Sequence, residues 1–228
     1  MGMVRTHTPS CVMSQFLIPT IVGTFLALFP IANPVGAVPV FYSLTARATP
    51  ASRRRQAQQT AINVFWVLAI FLVAGRLILE FFGISLGVLR IAGGLLVFDT
   101  AWEMVTSRQR LTIGEKDEAV DKEDISFTPM AVPLVSGPGA IGVVIGLVDK
   151  TSQWLEYIER ALGIALLAIV LYLCFALGEP LIKLLGQNGV GALNRVMGFF
   201  ILAIAVQFIA KGVFTLLQES APGLLRAQ

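Results

Sequence analysis

Charge is what this sequence has least of. Only 14% of its 228 residues are Asp, Glu, Lys or Arg, against roughly 25% in a soluble domain. Ten of those charges crowd into one short stretch, Arg108 to Asp124, which leaves the rest of the chain little to set against water. With 56% hydrophobic side chains and a mean hydropathy of +0.78, an ordinary soluble enzyme is excluded and an all-α integral membrane protein is expected. Histidine is almost missing: the single His7 precedes the first apolar segment, so imidazole takes no part in chemistry inside the membrane. The two cysteines, Cys11 and Cys174, form no metal-ligand or redox spacing, and neither a metal nor a cofactor is expected. Basic and aromatic residues are not interleaved, so the net charge of +3 carries no nucleic-acid signature; the lipid bilayer is the expected partner. There is no His-Glu-x-x-His and no Gly-Lys-Ser/Thr phosphate loop. No catalytic residue is assigned, an enzyme is not expected, and ATP does not drive the protein directly.

Long apolar runs are what the chain does have. Six stand out: Phe16–Leu44, Ala61–Phe82, Leu86–Val105, Phe127–Val148, Ala161–Ile182 and Val196–Leu217. A straight spanning helix needs about 20 residues, so the first is too long for an untilted span. The predicted organisation is an N-terminal tail (1–15), one transmembrane domain (16–217) and a C-terminal tail (218–228). Pro9 and Ser10 interrupt the leading residues, which do not read as a signal peptide. Met13, just before Gln15-Phe16-Leu17, reads as the natural start. Connections one, three and five hold or border Arg47, Arg53, Arg54, Arg55, Arg108, Arg110, Lys116, Lys122, Lys183 and Arg195. The positive-inside rule makes those connections cytoplasmic and leaves both termini outside the cytoplasm.

The two halves resemble each other. Leu89-Arg90-Ile91-Ala92-Gly93 opens segment three and Asn194-Arg195-Val196-Met197-Gly198 opens segment six. Segments one and four hold seven of the 11 prolines. They read Pro30-Ile31-Ala32-Asn33-Pro34-Val35-Gly36-Ala37 and Pro133-Leu134-Val135-Ser136-Gly137-Pro138-Gly139-Ala140. Three segments per half is odd, so the second half (127–217) is expected inverted relative to the first (16–105), joined by a cytoplasmic loop at 106–126.

Proline within a helix removes a donor and clashes with the preceding turn, and in lipid the freed backbone groups need protein partners or a wet cavity. Helices 1 and 4 are therefore predicted to break near the midplane. Asn33-Pro34 is an N-cap followed by proline at the first helical position, and Gly137-Pro138 reads the same way, with Ser136 adding a hydroxyl. Two readings stand. In one, the restarting helices present unpaired N–H groups to an anionic group of a solute, and Asn33, Pro34, Gly36, Ser136, Gly137, Pro138 and Gly139 form one central site. In the other, the breaks kink helices for packing and the small residues let helices approach. Of the remaining intramembrane polar groups, Asp99 is a candidate for proton or cation coupling or an interfacial carboxylate. Arg90 and Arg195 snorkel or gate, and Gln207 binds solute or bridges helices.

Phe82-Gly83-Ile84-Ser85, Leu89-Arg90-Ile91-Ala92-Gly93-Gly94, Pro129-x-Ala131-x-Pro133 with Ser136-Gly137-Pro138-Gly139, and Arg195-x-Met197-Gly198 with Val206-Gln207-Phe208-Ile209 together resemble the MarC family of bacterial membrane proteins. The resemblance covers Gln15 to Leu217. It implies six spans in the bacterial cytoplasmic membrane and a place beside transporters of small solutes, with some relatives linked to neutral amino acids. The expected function is secondary transport of a small polar solute, coupled to a proton or sodium ion. A passive channel and a membrane-embedded regulatory or binding protein are the alternatives.

Overall fold

The structure, a computed structural model, describes residues 9–106, 124–148 and 153–220. Among these every regular element is helical. They are α1 (Pro9–Ala32), α2 (Pro34–Leu44), α3 (Pro50–Phe82), α4 (Leu86–Thr106), a wide-turned segment at Ser126–Val135, α5 (Pro138–Gly146), α6 (Trp154–Ala176) and α7 (Gly178–Ser220). α3 starts at Thr49, whose side chain accepts the Ser52 N–H at 3.2 Å, and ends at Gly83. The φ of 65° at Gly83 is one that glycine adopts without steric cost. α7 is interrupted at Gly186, again at a positive φ.

Among the described residues, three helices are long and apolar enough to cross a membrane: α3, α6 and the stretch of α7 from Gly191 to Glu219. Two bent pairs bring the number to as many as five. Residues 18–32 of α1 meet α2 at 45°, and Ser126–Val135 meets α5 at 62°. Helices one and four are thus broken where the prolines place the breaks. The segment expected as the third span is α4. Its 21 residues extend about 32 Å, enough to cross, but Arg90, Asp99 and Glu103 put three charges into that length.

Several connections are shorter than the sequence suggests. Arg53, Arg54 and Arg55 do not fill the first connection but lie in the opening turns of α3. Proline at the first helical position and the Thr49 cap start the helix ahead of them. Arg53 reaches back over the turn, donating from Nε to Thr45 Oγ1 at 3.2 Å and from an Nη group to the Thr45 carbonyl at 3.0 Å. Its guanidinium also lies 4.8 Å from the Tyr42 ring centre. Lys183 and Arg195 likewise fall inside α7, where Lys183 pairs with Glu179 at 2.8 Å. The charged loop expected at 106–126 falls almost wholly outside the described residues.

The halves interlock crosswise. The first bent pair packs on the second half, α1 on α6 and α2 on α7, while Ser126–Val135 packs on α3 and α5 on α4. The closest pairing joins α4 and α7, which run antiparallel along a seam of small residues seven apart. Gly87 faces Gly212, Gly94 faces Ala205 and Ala101 faces Gly198. A Cβ on Gly212 would lie 2.8 Å from the Gly87 carbonyl, and one on Gly94 would lie 3.1 Å from that of Ala205. Such seams let helices approach in lipid, where dispersion and backbone proximity replace the hydrophobic effect as the source of association. Phe41 stacks on Phe175 at 4.5 Å within the core, while Ile70, Leu77, Phe81, Phe199 and Phe214 face outward, as a lipid-facing surface requires.

Candidate functional site

The first break is made by Asn33. Its backbone sits in the left-handed region at φ 42° and ψ 62°, which asparagine tolerates better than other residues with a side chain. The backbone bonds continue on both sides. Asn33 N–H donates to Phe29 O at 3.0 Å, and its carbonyl accepts from Ala37 at 3.1 Å. The side chain is fully engaged as well. Oδ1 accepts the Gly36 N–H at 3.1 Å, and Nδ2 donates to Asn194 Oδ1 at 3.3 Å with Met104 Sδ at 3.9 Å. Gly36 lies directly against both amides, so a Cβ there would collide with Asn33 and Asn194. With Asn33 buried, this break is closed by a cross-half pair of asparagines. Asn194 was not among the expected site residues. Its signal is the mismatch between repeats: Leu89 opens the first motif where Asn194 opens the second.

The second break is built differently. Gly137 precedes α5 in ordinary extended conformation (φ −68°, ψ 173°), and no side chain caps the restart. The Ser136 hydroxyl does not cap the restart; it is fully buried without a hydrogen-bond partner among the described residues. The requirement for glycine at 137 is steric, since a Cβ would meet the Pro133 carbonyl at 2.7 Å. At Gly139 a Cβ would meet Val97 Cγ2 at 2.7 Å, and one on Gly142 would lie 3.2 Å from Gly93 Cα. α4 and α5 therefore cross almost backbone to backbone. In the segment before the break, Thr128 and Val132 are extended, the conformation forced on residues that precede proline.

A cavity of about 210 Å³ opens at this second break. Pro133 to Val135 and Gly137 to Ala140 form one wall; Asp99, Thr100 and Glu103 of α4 form the other, with Ile31 of α1 beside them. The first intrahelical bond of α5 runs from Ile141 N–H to Gly137 O at 3.1 Å. The N–H groups of Gly139 and Ala140 lie ahead of it, at the partially positive end of the helix. The cavity thus joins backbone donors to two carboxylates one helical turn apart. Gly137, Pro138, Gly139 and Asp99 are brought together, while Asn33, Pro34, Gly36 and Ser136 are not among its lining residues.

Arg90 has a different place. It donates to Thr215 Oγ1 at 3.0 Å and to the Gly146 carbonyl at 3.3 Å, so a cation sits at the C-terminal end of α5. α4 therefore holds Arg90 at one end of the nine-residue α5 and Asp99 at the other, in the sense that complements the helix dipole. Arg195 and Gln207 are exposed on α7 and line no part of this cavity.

The family described as MarC family integral membrane protein matches residues 18–217. The UPF0056 membrane protein YvbG of Bacillus subtilis (strain 168) is 36% identical over 197 residues, covering 85% of this chain and 93% of that protein. The UPF0056 membrane protein YhcE of Escherichia coli (strain K12) is 33% identical, covering 94% and 99% of the two chains. The UPF0056 inner membrane protein MarC of Escherichia coli (strain SMS-3-5 / SECEC) is 30% identical, covering 85% and 93%. No solved structure matches the chain.

Proposed function

The chain belongs to the MarC family of integral membrane proteins, and from that premise we propose that it is a secondary transporter of a small zwitterionic solute of the neutral amino-acid class. The observation that carries this reading is the cavity at the second break. A helix start favours a carboxylate, whereas Asp99 and Glu103 favour an ammonium or a coupling cation. A small amino acid satisfies both ends at once, and about 210 Å³ keeps its side chain short. The transporter works without catalytic chemistry of its own. It spans a bacterial inner membrane six times as two inverted three-helix repeats, with α4 as the third span and a proton or sodium gradient as the driving force. The crosswise packing of the bent pairs supports the inversion, since each half contributes the same elements to the other. The first break, closed by Asn33 and Asn194, joins the halves and does not bind solute.

Purified protein in liposomes, given labelled small amino acids under imposed proton or sodium gradients, tests the proposal. Gradient-driven accumulation supports a carrier, whereas equilibration alone would make the protein a channel. An organic acid lacking the amine should not be carried; equal uptake of both would remove the carboxylates from recognition. Asp99→Asn is expected to raise the half-saturating concentration about tenfold, in line with losing one charge-assisted hydrogen bond. Unchanged uptake by that variant would confine Asp99 to complementing the α5 dipole.

Orientation is tested separately. In a background without Cys11 and Cys174, a cysteine at Arg47 should resist impermeant thiol reagents in intact cells, and one at Ile84 should react. The opposite pattern would reverse the chain in the membrane.

A further inference from the structure

We propose that the outer surface between α3 and α6 holds a site for one anionic phospholipid. Small residues on facing helices, Ala61 on α3 with Ala165 and Ala168 on α6, leave a groove of about 490 Å³ walled by Phe65 and Trp66. Among the described residues no other element fills it, and the exposed Ile62, Trp66 and Ile169 place it on the side of the molecule that meets lipid. At its end, Arg54 Nε donates to the Tyr172 hydroxyl at 3.2 Å. This hydrogen bond bridges the two helices and leaves the Nη groups of an exposed guanidinium facing outward.

The spacing along α3 suits a lipid. Arg54, Gln58, Ala61 and Phe65 recur at i, i+4, i+7 and i+11 and so share one helix face. From Arg54 to Trp66 the helix rises about 18 Å, close to the roughly 15 Å depth of one leaflet's hydrocarbon. A headgroup phosphate on Arg54 therefore sets one acyl chain along the groove, ending beside Trp66. Arginine presents paired donors to phosphate oxygens. A second cavity of about 320 Å³ adjoins Arg54, and Arg53, Tyr42 and Glu179 also line it. It provides room for the rest of the headgroup. Lys183, paired with Glu179, joins Arg53 and Arg54 in leaving the neighbourhood net positive, which selects an anionic lipid over a zwitterionic one. Arg53 itself is held by Thr45, so Arg54 is the residue on which the contact turns.

Trp66 supplies a reporter within the groove. The chain has three tryptophans, and replacing Trp102 and Trp154 with Phe isolates it. The full-length protein in phosphatidylcholine nanodiscs is titrated with brominated-chain phosphatidylglycerol, and quenching of Trp66 is followed. Saturable quenching is expected, with brominated phosphatidylglycerol favoured about tenfold over brominated phosphatidylcholine. Arg54→Ala should remove that preference and Arg54→Lys should retain part of it. Ala165→Phe, which fills the groove, should abolish the saturable component while Arg54 remains; melting temperatures of the variants identify any that fail to fold. Quenching that rises linearly with bulk bromine for both lipids would mean ordinary boundary lipid and would overturn the site. Equal affinity for phosphatidylethanolamine would overturn the anionic assignment. A Trp66 shielded from every lipid, together with a cross-linked dimer, would show that a second copy covers the groove instead.

Discussion

Asn33→Ala is expected to lower stability by about 3 kcal/mol. Alanine in the left-handed region costs about 1–2 kcal/mol, loss of an N-cap about 1 kcal/mol, and a buried amide left without its partner about 1 kcal/mol. For a chain of this length that corresponds to a fall in melting temperature of about 6–12 °C. Asn33→Gly should be milder, because glycine reaches φ 42° without strain while losing the same hydrogen bonds. Gly36→Ala places a methyl group against both amides and should be damaging in the presence of Asn194. In an Asn194→Ala background the same change should cost less, so a double-mutant cycle reads the coupling directly. Thermal melts with solute binding on the same samples separate two roles. An Asn33→Ala protein that melts normally but fails to bind solute would place Asn33 in the solute path and reopen the first break as a site. Normal melting and normal binding together would deny the asparagine pair its joining role.

The second large effect is expected in the seam between α4 and α7. A Cβ on Gly94 would meet Ile209 Cγ1 at 2.7 Å, and Ala205 O and Ile209 N at 3.1 Å. The isoleucine can turn aside, but the two backbone atoms cannot move without separating the helices. Gly94→Ala is expected to cost about 1–2 kcal/mol and Gly94→Val about 3 kcal/mol, the upper range for overpacking a tight interface. Gly23 is the control, since a Cβ there meets nothing within 4 Å; Gly23→Ala should be neutral or slightly stabilising, because alanine is the better helix former. The readout is the fraction of monodisperse protein after solubilisation and its melting temperature. Equal behaviour of Gly94→Val and Gly23→Ala would mean that the seam does not hold the halves together.

How much of this was legible follows from the kind of force involved. The membrane class, the helical content and the two proline breaks come from local properties. Apolar composition leaves no soluble alternative, and proline disrupts a helix wherever it lies inside one. Asn33 as a cap was legible for the same reason, since a side chain accepting a bond three residues ahead is a short-range event. Charge alone places Arg53, Arg54 and Arg55 in a loop, whereas Thr49 and Pro50 start α3 before them. The Gly87, Gly94 and Ala101 spacing was present in the chain but gained meaning only beside Gly198, Ala205 and Gly212 on α7.

What the sequence determined alone, then, is where the backbone must break and which segments prefer lipid, because dihedral limits and transfer energies act residue by residue. Only the tertiary structure decided what each break does. Residues more than 100 positions apart, Asn33 and Asn194, close the first. At the second, Asp99 and Glu103 from another helix meet the start of α5 and leave a cavity. Each restarting helix begins with unpaired N–H groups; Asn33 caps its own start and is held by Asn194 across the halves, whereas the cavity left beside the second start is set by packing across the molecule, which no local pattern encodes.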